Sequence, residues 1–416
     1  FLALTLEGAD FTYYTDPLSP SSGMVSGLPV LLADYTFRTK KDVEDYLGIL
    51  EQTGAYFDAL IRYEQEKSSA GLFMSDTSAD NVIEQCDSIM DPVLLSDGSH
   101  FLQQTFTERL DGLASDEIIT GEEKQQYIDK NNLLLTTVMA PAYERVGDAF
   151  LVLKGTGTNP YGLCYYPEGK EYYTYLLAQT TGSSRSIPEI RRLLEKDYQK
   201  NFHALRDLVK NHPGLLKLSP EDFSLSLNMQ NSYSDHPEEP GDTDLPTKPA
   251  ATSDILCRLS EAILDDLQKQ MKPDFPKLTC IPEAKAGQEH DGESNSVSCQ
   301  IKKVSSSMEA YSSPAYYLTP PIDDLWHNTI YLNEPNITDD LTLYTTLAHE
   351  GYPGHLYQTV YSQSFLNQQN ASCIRSMLHY GGFVEGWAVY VENLSYGYAA
   401  QLTKNEEAAA YIEACR

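Results

Sequence analysis

The sequence predicts a mainly helical protein with a small β-sheet near its candidate active site, and three observations carry that expectation. Apolar residues recur at three- and four-residue intervals through most of the chain. Turn formers cluster between those stretches. Two short, partly alternating apolar runs stand ahead of a segment that carries paired histidine and glutamate.

Residues 2–34, with Ser19-Pro20-Ser21-Ser22-Gly23 among them, read as extended chain and loop. From Thr39 the pattern changes: Val43, Tyr46, Leu47, Leu50, Phe57 and Ile61 mark one face of an amphipathic helix over 39–67. Asp42 and Glu44 fall in its first turns, where carboxylates complement the helix dipole. Further helices are expected over 78–88, 99–108, 121–146, 186–212 and 252–271. Gly155-Thr156-Gly157-Thr158-Asn159-Pro160 reads as a loop and not a phosphate cradle, because no Lys-Ser/Thr pair closes it. The strand candidates are 300–304 and 329–333. The polar, proline-bearing stretch 232–253 reads as an exposed linker between a mostly helical amino-terminal lobe, 1–231, and a metal-site lobe, 254–416. The chain opens at Phe1 without a signal segment and stops inside a helical pattern at 406–414, so it reads as a piece of a longer protein, truncated at both ends.

Lys and Arg total 30 against 60 Asp and Glu, a formal net charge of -30 that repels a polyphosphate partner, so nucleic acid is excluded as a ligand. No run approaches the roughly 18 apolar residues of a membrane-spanning helix. The acidity suits an extracellular medium. Seven cysteines include no Cys-x-x-Cys pair, which argues against a thiolate zinc site. Cys280 and Cys299 bracket a polar stretch and would suit a disulfide, although the odd total and the size of the chain favour buried thiols.

The informative stretch is Thr338-Asp339-Asp340 through His349-Glu350-Gly351-Tyr352-Pro353-Gly354-His355. Thr338 reads as an N-cap, and Leu341, Tyr344, Leu347 and Ala348 as a buried stripe, which puts His349 and Glu350 near the end of a buried helix. In a His-Glu-x-x-His helix the four-residue spacing sets both imidazoles on one face and the glutamate polarises a metal-bound water. Here the histidines are six apart, about 120° on an ideal helix. A straight helix therefore cannot present both to one ion. Pro353, with no amide hydrogen, and Gly354, with no side chain, offer a bulge that extrudes two residues and restores the spacing. The competing reading makes His349 the lone ligand, or both histidines structural.

A third ligand is expected in Phe383-Val384-Glu385-Gly386-Trp387-Ala388-Val389-Tyr390-Val391-Glu392. An acid among so many apolar neighbours would be costly to bury unless paired, protonated or metal-bound, which favours Glu385. Glu392, two turns on, is the supporting acid that orients a histidine. For the donor to a developing oxyanion the candidates are His379 and Tyr380, with Tyr352 and Arg375 behind them. The remaining histidines, His100 and His327 among them, read as structural.

On these residues the chain resembles the bacterial DUF885 family, whose hallmark is a His-Glu-Gly-Tyr-Pro-Gly-His block followed by Glu-Gly-Trp-Ala. The resemblance extends to 313–324 and to Ala70-Gly71-Leu72-Phe73. It implies a helical fold of the zincin (gluzincin) peptidase kind, with Zn2+ held by His349, His355 and Glu385, Glu350 as general base and a peptide as substrate. It also implies a bacterial extracellular or cell-surface protein, with a lipid anchor in the full-length form. The expected reaction is peptide hydrolysis by a metal-activated water, as a carboxypeptidase or oligopeptidase. The rivals are a surface protein that binds peptide or glycan without turnover, and a metal-dependent amidase.

Overall fold

Capping and periodicity turn the amino-terminal half into helices. These are α1 (Leu2–Glu7), α2 (Met24–Ala33), α3 (Lys40–Ser69), α4 (Asp76–Ile89), α5 (Pro92–Asp97), α6 (Phe101–Ser115), α7 (Gly121–Leu134), α8 (Ala140–Leu153), α9 (Gly169–Thr181) and α10 (Ile187–Asn211). There follow α11 (Thr252–Gln270), strands β1 (Ser298–Lys303), β2 (Ala315–Leu318) and β3 (His327–Leu332), and helices α12 (Asp340–Glu350), α13 (His355–Gln368), α14 (Ile374–Met377), α15 (Gly381–Gln401) and α16 (Glu406–Cys415). The computed structural model describes every residue except 21, 158–161, 219–251, 279–296, 307, 322–323, 370, 373 and 379. The expectation of a mainly helical protein with a small sheet holds. No helix among the described residues is long and apolar enough to cross a membrane.

The helix expected over 39–67 is α3. Thr39 and Asp42 form a reciprocal capping box at its start, and Val43, Tyr46, Leu47, Leu50 and Phe57 are buried on its inner face. The run expected over 121–146 is one helical path in which α7 passes into α8 through a π-turn at Leu135–Met139. Pro141 follows at once, and its missing amide hydrogen is one reason the regular ladder gives way there. The expected extended chain over 2–34 is corrected: α1, a 3-10 turn at Gly8–Tyr14 and α2 occupy much of it. Leu18, Val25 and Leu32 are fully or almost fully buried there, and that burial outweighs the turn propensity of the neighbouring serines and glycines.

The chain divides into two units. One comprises Leu2–Leu176 and Ser305–Ser312; the other comprises Phe1, Leu177–Val304 and Ser313–Arg416. Of the linker expected over 232–253, all but the last two residues lie outside the described ones. The core of the first unit is aromatic, with Tyr46 against Phe106 at 5.1 Å and Phe57 against Tyr143 at 4.9 Å between ring centroids.

The second unit carries the three-stranded sheet, order β1-β3-β2, in which β1 runs parallel and β2 antiparallel to β3. The strand candidates 300–304 and 329–333 correspond to β1 and β3. The short β2 was not foreseen. Ile330 and Leu332 of β3, Ile263, Leu264 and Leu267 of α11, and Leu343, Tyr344 and Leu347 of α12 form one core, which fixes α12 against the sheet. Cys299 on β1 is a free thiol whose pKa is pushed up to about 12 by burial; Cys280, the partner it would need for a disulfide, lies outside the described residues.

Candidate metal centre

Helix α12 begins one residue later than expected. Asp339 is its N-cap, accepting the Thr342 amide at 2.8 Å, while Thr338 donates its hydroxyl to Asp339. The 11-residue helix, about three turns long, ends at Glu350. Its buried stripe anchors the last two side chains, His349 and Glu350.

The sequence suggested a two-residue bulge inside one helix. The chain instead stops and restarts: Gly351 caps α12, Tyr352-Pro353 is a cis peptide, and α13 opens at His355. Pro353 has no amide hydrogen for the His349 carbonyl, and Gly354 packs against that same carbonyl. A β-carbon on Gly354 would lie 1.8 Å from the His349 oxygen and 2.3 Å from the Ala348 oxygen, so only glycine fits. Three hydrogen bonds hold the connection: Trp387 Nε1 to the Pro353 oxygen at 2.9 Å, the Tyr357 amide to Gly351 at 3.2 Å and the Gln358 amide to Gly354 at 2.9 Å. The break turns two imidazoles that a straight helix would set about 120° apart into neighbours, with ring centroids 4.8 Å apart and planes at 84°.

Helix α15 brings the acids. Glu385 places Oε2 3.5 Å from Nε2 of His349 and 3.5 Å from Nε2 of His355. Seven residues on, and therefore about 20° away on the same face, Glu392 meets Nδ1 of His349 at 2.9 Å. With Nδ1 engaged by that carboxylate, the His349 ring presents Nε2 to the shared space.

The premise that led to Glu385 needs correction. Its side chain is 62% exposed, and Phe383 and Val389 beside it are also open to solvent, so desolvation does not single it out. Position does: the imidazoles are 18% and 12% exposed, and Glu385 closes the open side between them.

Zinc fits this donor set. A tetrahedral ion with bonds of about 2.1 Å needs donors about 3.4 Å apart, and both nitrogen-to-oxygen separations are 3.5 Å. Two imidazoles, one carboxylate and an open side are the composition of a catalytic and not a closed structural zinc site. Glu350 also reaches the cluster, since His349, Glu350 and His355 offer donor atoms within 4.8 Å of one another. Its carboxylate is engaged elsewhere, however, accepting the Tyr317 amide at 2.8 Å. That amide is available for a structural reason. Pro314 accepts the Asn333 amide, so on the edge strand β2 alternate residues pair with β3 and Tyr317 turns its N–H the other way.

Burial pushes the Glu350 pKa up to about 7; the Tyr317 amide and the charge of His349 pull against that shift, and Glu385 and Glu392 add to it. For His349 burial favours the neutral ring, but the hydrogen bond to Glu392 and the surrounding carboxylates prevail and raise its pKa. His355 goes the other way, lowered first by burial and then by the charge of His349, with Glu385 opposing.

The structure thus brings together His349, Glu350, His355, Glu385 and Glu392. Among the described residues it gives no such place to the proposed oxyanion donors. His379 lies outside the described residues. Tyr380 packs its ring edge-on against Phe1 at 5.6 Å and beside Gly182, and no described contact links it to the imidazoles. Tyr352 is buried in the connection, and Arg375 is exposed on α14. Sequence reasoning missed Tyr317, whose contribution is a backbone amide that no side-chain pattern announces, and it read Trp387 as apolar lining when its indole holds Pro353. Among the other histidines His100 is structural: Nε2 meets the Ile89 oxygen at 2.7 Å, and Nδ1 accepts the Leu102 amide.

Residues 1–408 match the model of a family described as "Bacterial protein of unknown function (DUF885)". Among solved structures the chain resembles "the putative lipoprotein from Colwellia psychrerythraea", with a TM-score of 0.70 and 19% identity over 95% of this chain and 62% of that one. The likeness at that identity is one of fold, and the chain spans less than two thirds of that protein's length. No curated protein matches the sequence.

Proposed function

The chain belongs to the bacterial DUF885 family, and from that premise and the geometry of its donor set we propose that it is the metal-site part of a zinc-dependent peptidase of the helical gluzincin kind. The observation that carries the reading is the equal 3.5 Å approach of Glu385 to the Nε2 atoms of His349 and His355, with a second, half-buried carboxyl, Glu350, at the same place. Zinc held by those three residues would supply a Lewis acid that lowers the pKa of a water and polarises a carbonyl.

The protein's own groups do the rest. Glu350, held by the Tyr317 amide, accepts the proton of the attacking water and returns it to the departing amine. Glu392 keeps His349 in the orientation and tautomer that present Nε2. The exposed side of Glu385, flanked by Gly386 and Val389, is where an extended peptide enters. The description of the structural neighbour as a lipoprotein supports an extracellular or cell-surface placement.

Metal content per chain, measured on gently purified protein beside a His349→Ala, His355→Ala double variant, tests the site. About one zinc per chain, lost in the variant, is expected. Glu350→Gln should retain the metal and lose about 10²- to 10⁴-fold in hydrolysis of a peptide library; unchanged cleavage in that variant would overturn the role of Glu350. Absence of bound zinc after reconstitution would overturn the metal site itself.

A further inference from the structure

Helix α10 is 25 residues long and has no buried residue. Helices of this length in globular proteins draw most of their stability from covering an apolar face. On α10 that face is well formed and open: Leu194, Tyr198 and Phe202 are each more than half exposed, and with Ile190 they make a ridge at four-residue spacing, continued by Leu205 and Val209. The helix also departs from the charge of its chain. Arg191, Arg192, Lys196, Lys200, Arg206 and Lys210 outnumber Glu189, Glu195, Asp197 and Asp207, in a protein of net charge -30.

We propose that α10 is a self-association surface, on which a second copy of this chain packs its own α10 antiparallel to the first. Three features of the helix select that occupant. Six residues of the apolar stripe are symmetric end to end, with Leu193 and Leu208 flanking them outside that symmetry: Ile190 with Val209, Leu194 with Leu205, and Tyr198 with Phe202 all pair about a midpoint within half a residue of Lys200. A twofold axis through that point sets each against its mate in the partner, as an isologous interface requires. The charges obey the same axis. Glu195 and Arg206 are centred on that midpoint as well, and their separation of 11 residues leaves them about 20° apart on one flank of the helix. In the antiparallel pair Glu195 of each copy therefore faces Arg206 of the other, twice by symmetry. Within the single chain these two make only exposed contacts along the helix, Glu195 with Arg191 at 3.0 Å and Arg206 with Asp207 at 3.1 Å, which cost little to exchange.

The third feature is size. Contact along about 30 Å of each helix covers on the order of 1,200–1,600 Å² over two copies, within the range of a stable specific interface.

Sedimentation velocity across a concentration series, at low and moderate salt, tests the proposal without reference to metal or activity. The protein should sediment as a dimer at micromolar concentration, and the variant Leu194→Glu with Tyr198→Glu as a monomer of unchanged helical circular dichroism. Because that variant places charge on an apolar face, exposed charge reversals give a second reading. Glu195→Arg and Arg206→Glu should each weaken the dimer about tenfold or more, and the two together in one chain should restore it. A monomer at every concentration up to about 100 µM would overturn the proposal, as would a dimer indifferent to the helix variants or a double reversal without rescue. Recruitment of the monomer by anionic vesicles or by a different polypeptide would assign the face to that partner instead.

Discussion

Replacing Gly354 by alanine isolates the contribution of the break between α12 and α13. The added β-carbon meets the His349 oxygen at 1.8 Å and the Ala348 oxygen at 2.3 Å, and real contacts of this kind do not fall below 3.0 Å. At least about 1.2 Å of relief is therefore needed, and the obstacle is backbone, which cannot swing aside as a side chain would. The movement falls on the carbonyl of one proposed ligand and on the residue just before the other. Overpacking of this kind costs about 1–3 kcal/mol, and at about 2 °C per kcal/mol for a unit of this size it should lower Tm by roughly 2–6 °C. The site should suffer more than the fold, because ligand sets tolerate displacements of only about 0.5 Å; zinc affinity is expected to fall at least about 100-fold.

Gly386→Ala is the matched control. It lies next to Glu385, but its added β-carbon meets nothing within 4 Å. In the interior of α15 that change should stabilise by about 0.5–1 kcal/mol and leave metal affinity alone. The assay is competition for zinc with a fluorescent chelator, beside calorimetry of each variant. If Gly354→Ala bound zinc as tightly as the parent and melted at the same temperature, the account of the break as the device that converges the histidines would be wrong.

Glu392→Gln removes the carboxylate that takes the His349 Nδ1 hydrogen at 2.9 Å, and zinc affinity should drop about 10- to 100-fold, read by the same competition; a change within twofold would deny Glu392 its orienting part. Trp387→Phe deletes the hydrogen bond to the Pro353 oxygen and should cost about 1–2 kcal/mol, seen as an earlier unfolding midpoint in urea. In the amino-terminal unit Glu64 is fully buried, both carboxylate oxygens lack a partner, and burial pushes its pKa up to about 7, with Lys67 opposing. Because its folded pKa lies above the ordinary glutamate value of 4.5, the folded state holds the proton more tightly, so stability should fall as pH rises from about 4.5 to 7 and level off above that. Glu64→Gln should flatten that decline and gain roughly 1–3 kcal/mol at pH 8 relative to pH 5; identical pH profiles for variant and parent would show that Glu64 ionises freely.

Much of this protein is legible along the chain because the governing forces are local. Helix periodicity, with Asp42 and Glu44 in the first turns, foretold α3 almost to its ends, and the composition of 349–355 and 383–392 named the residues that gather at the site. Local signals failed where burial decided: α2 forms around Leu32 and Val25 despite its turn-rich surroundings, and β2 is too short to announce itself. The sequence by itself determined which chemistry-bearing groups exist and that His349 and His355 cannot share a straight helix. Tertiary structure alone decided how they meet, through a break closed by Gly354 and pinned by Trp387 from another helix. It decided as well that Glu385 meets both imidazoles by position and not by burial, and that the edge of β2 supplies a backbone amide to Glu350. Those outcomes depend on the directions of groups far apart in the chain, and no spacing of residues encodes a direction.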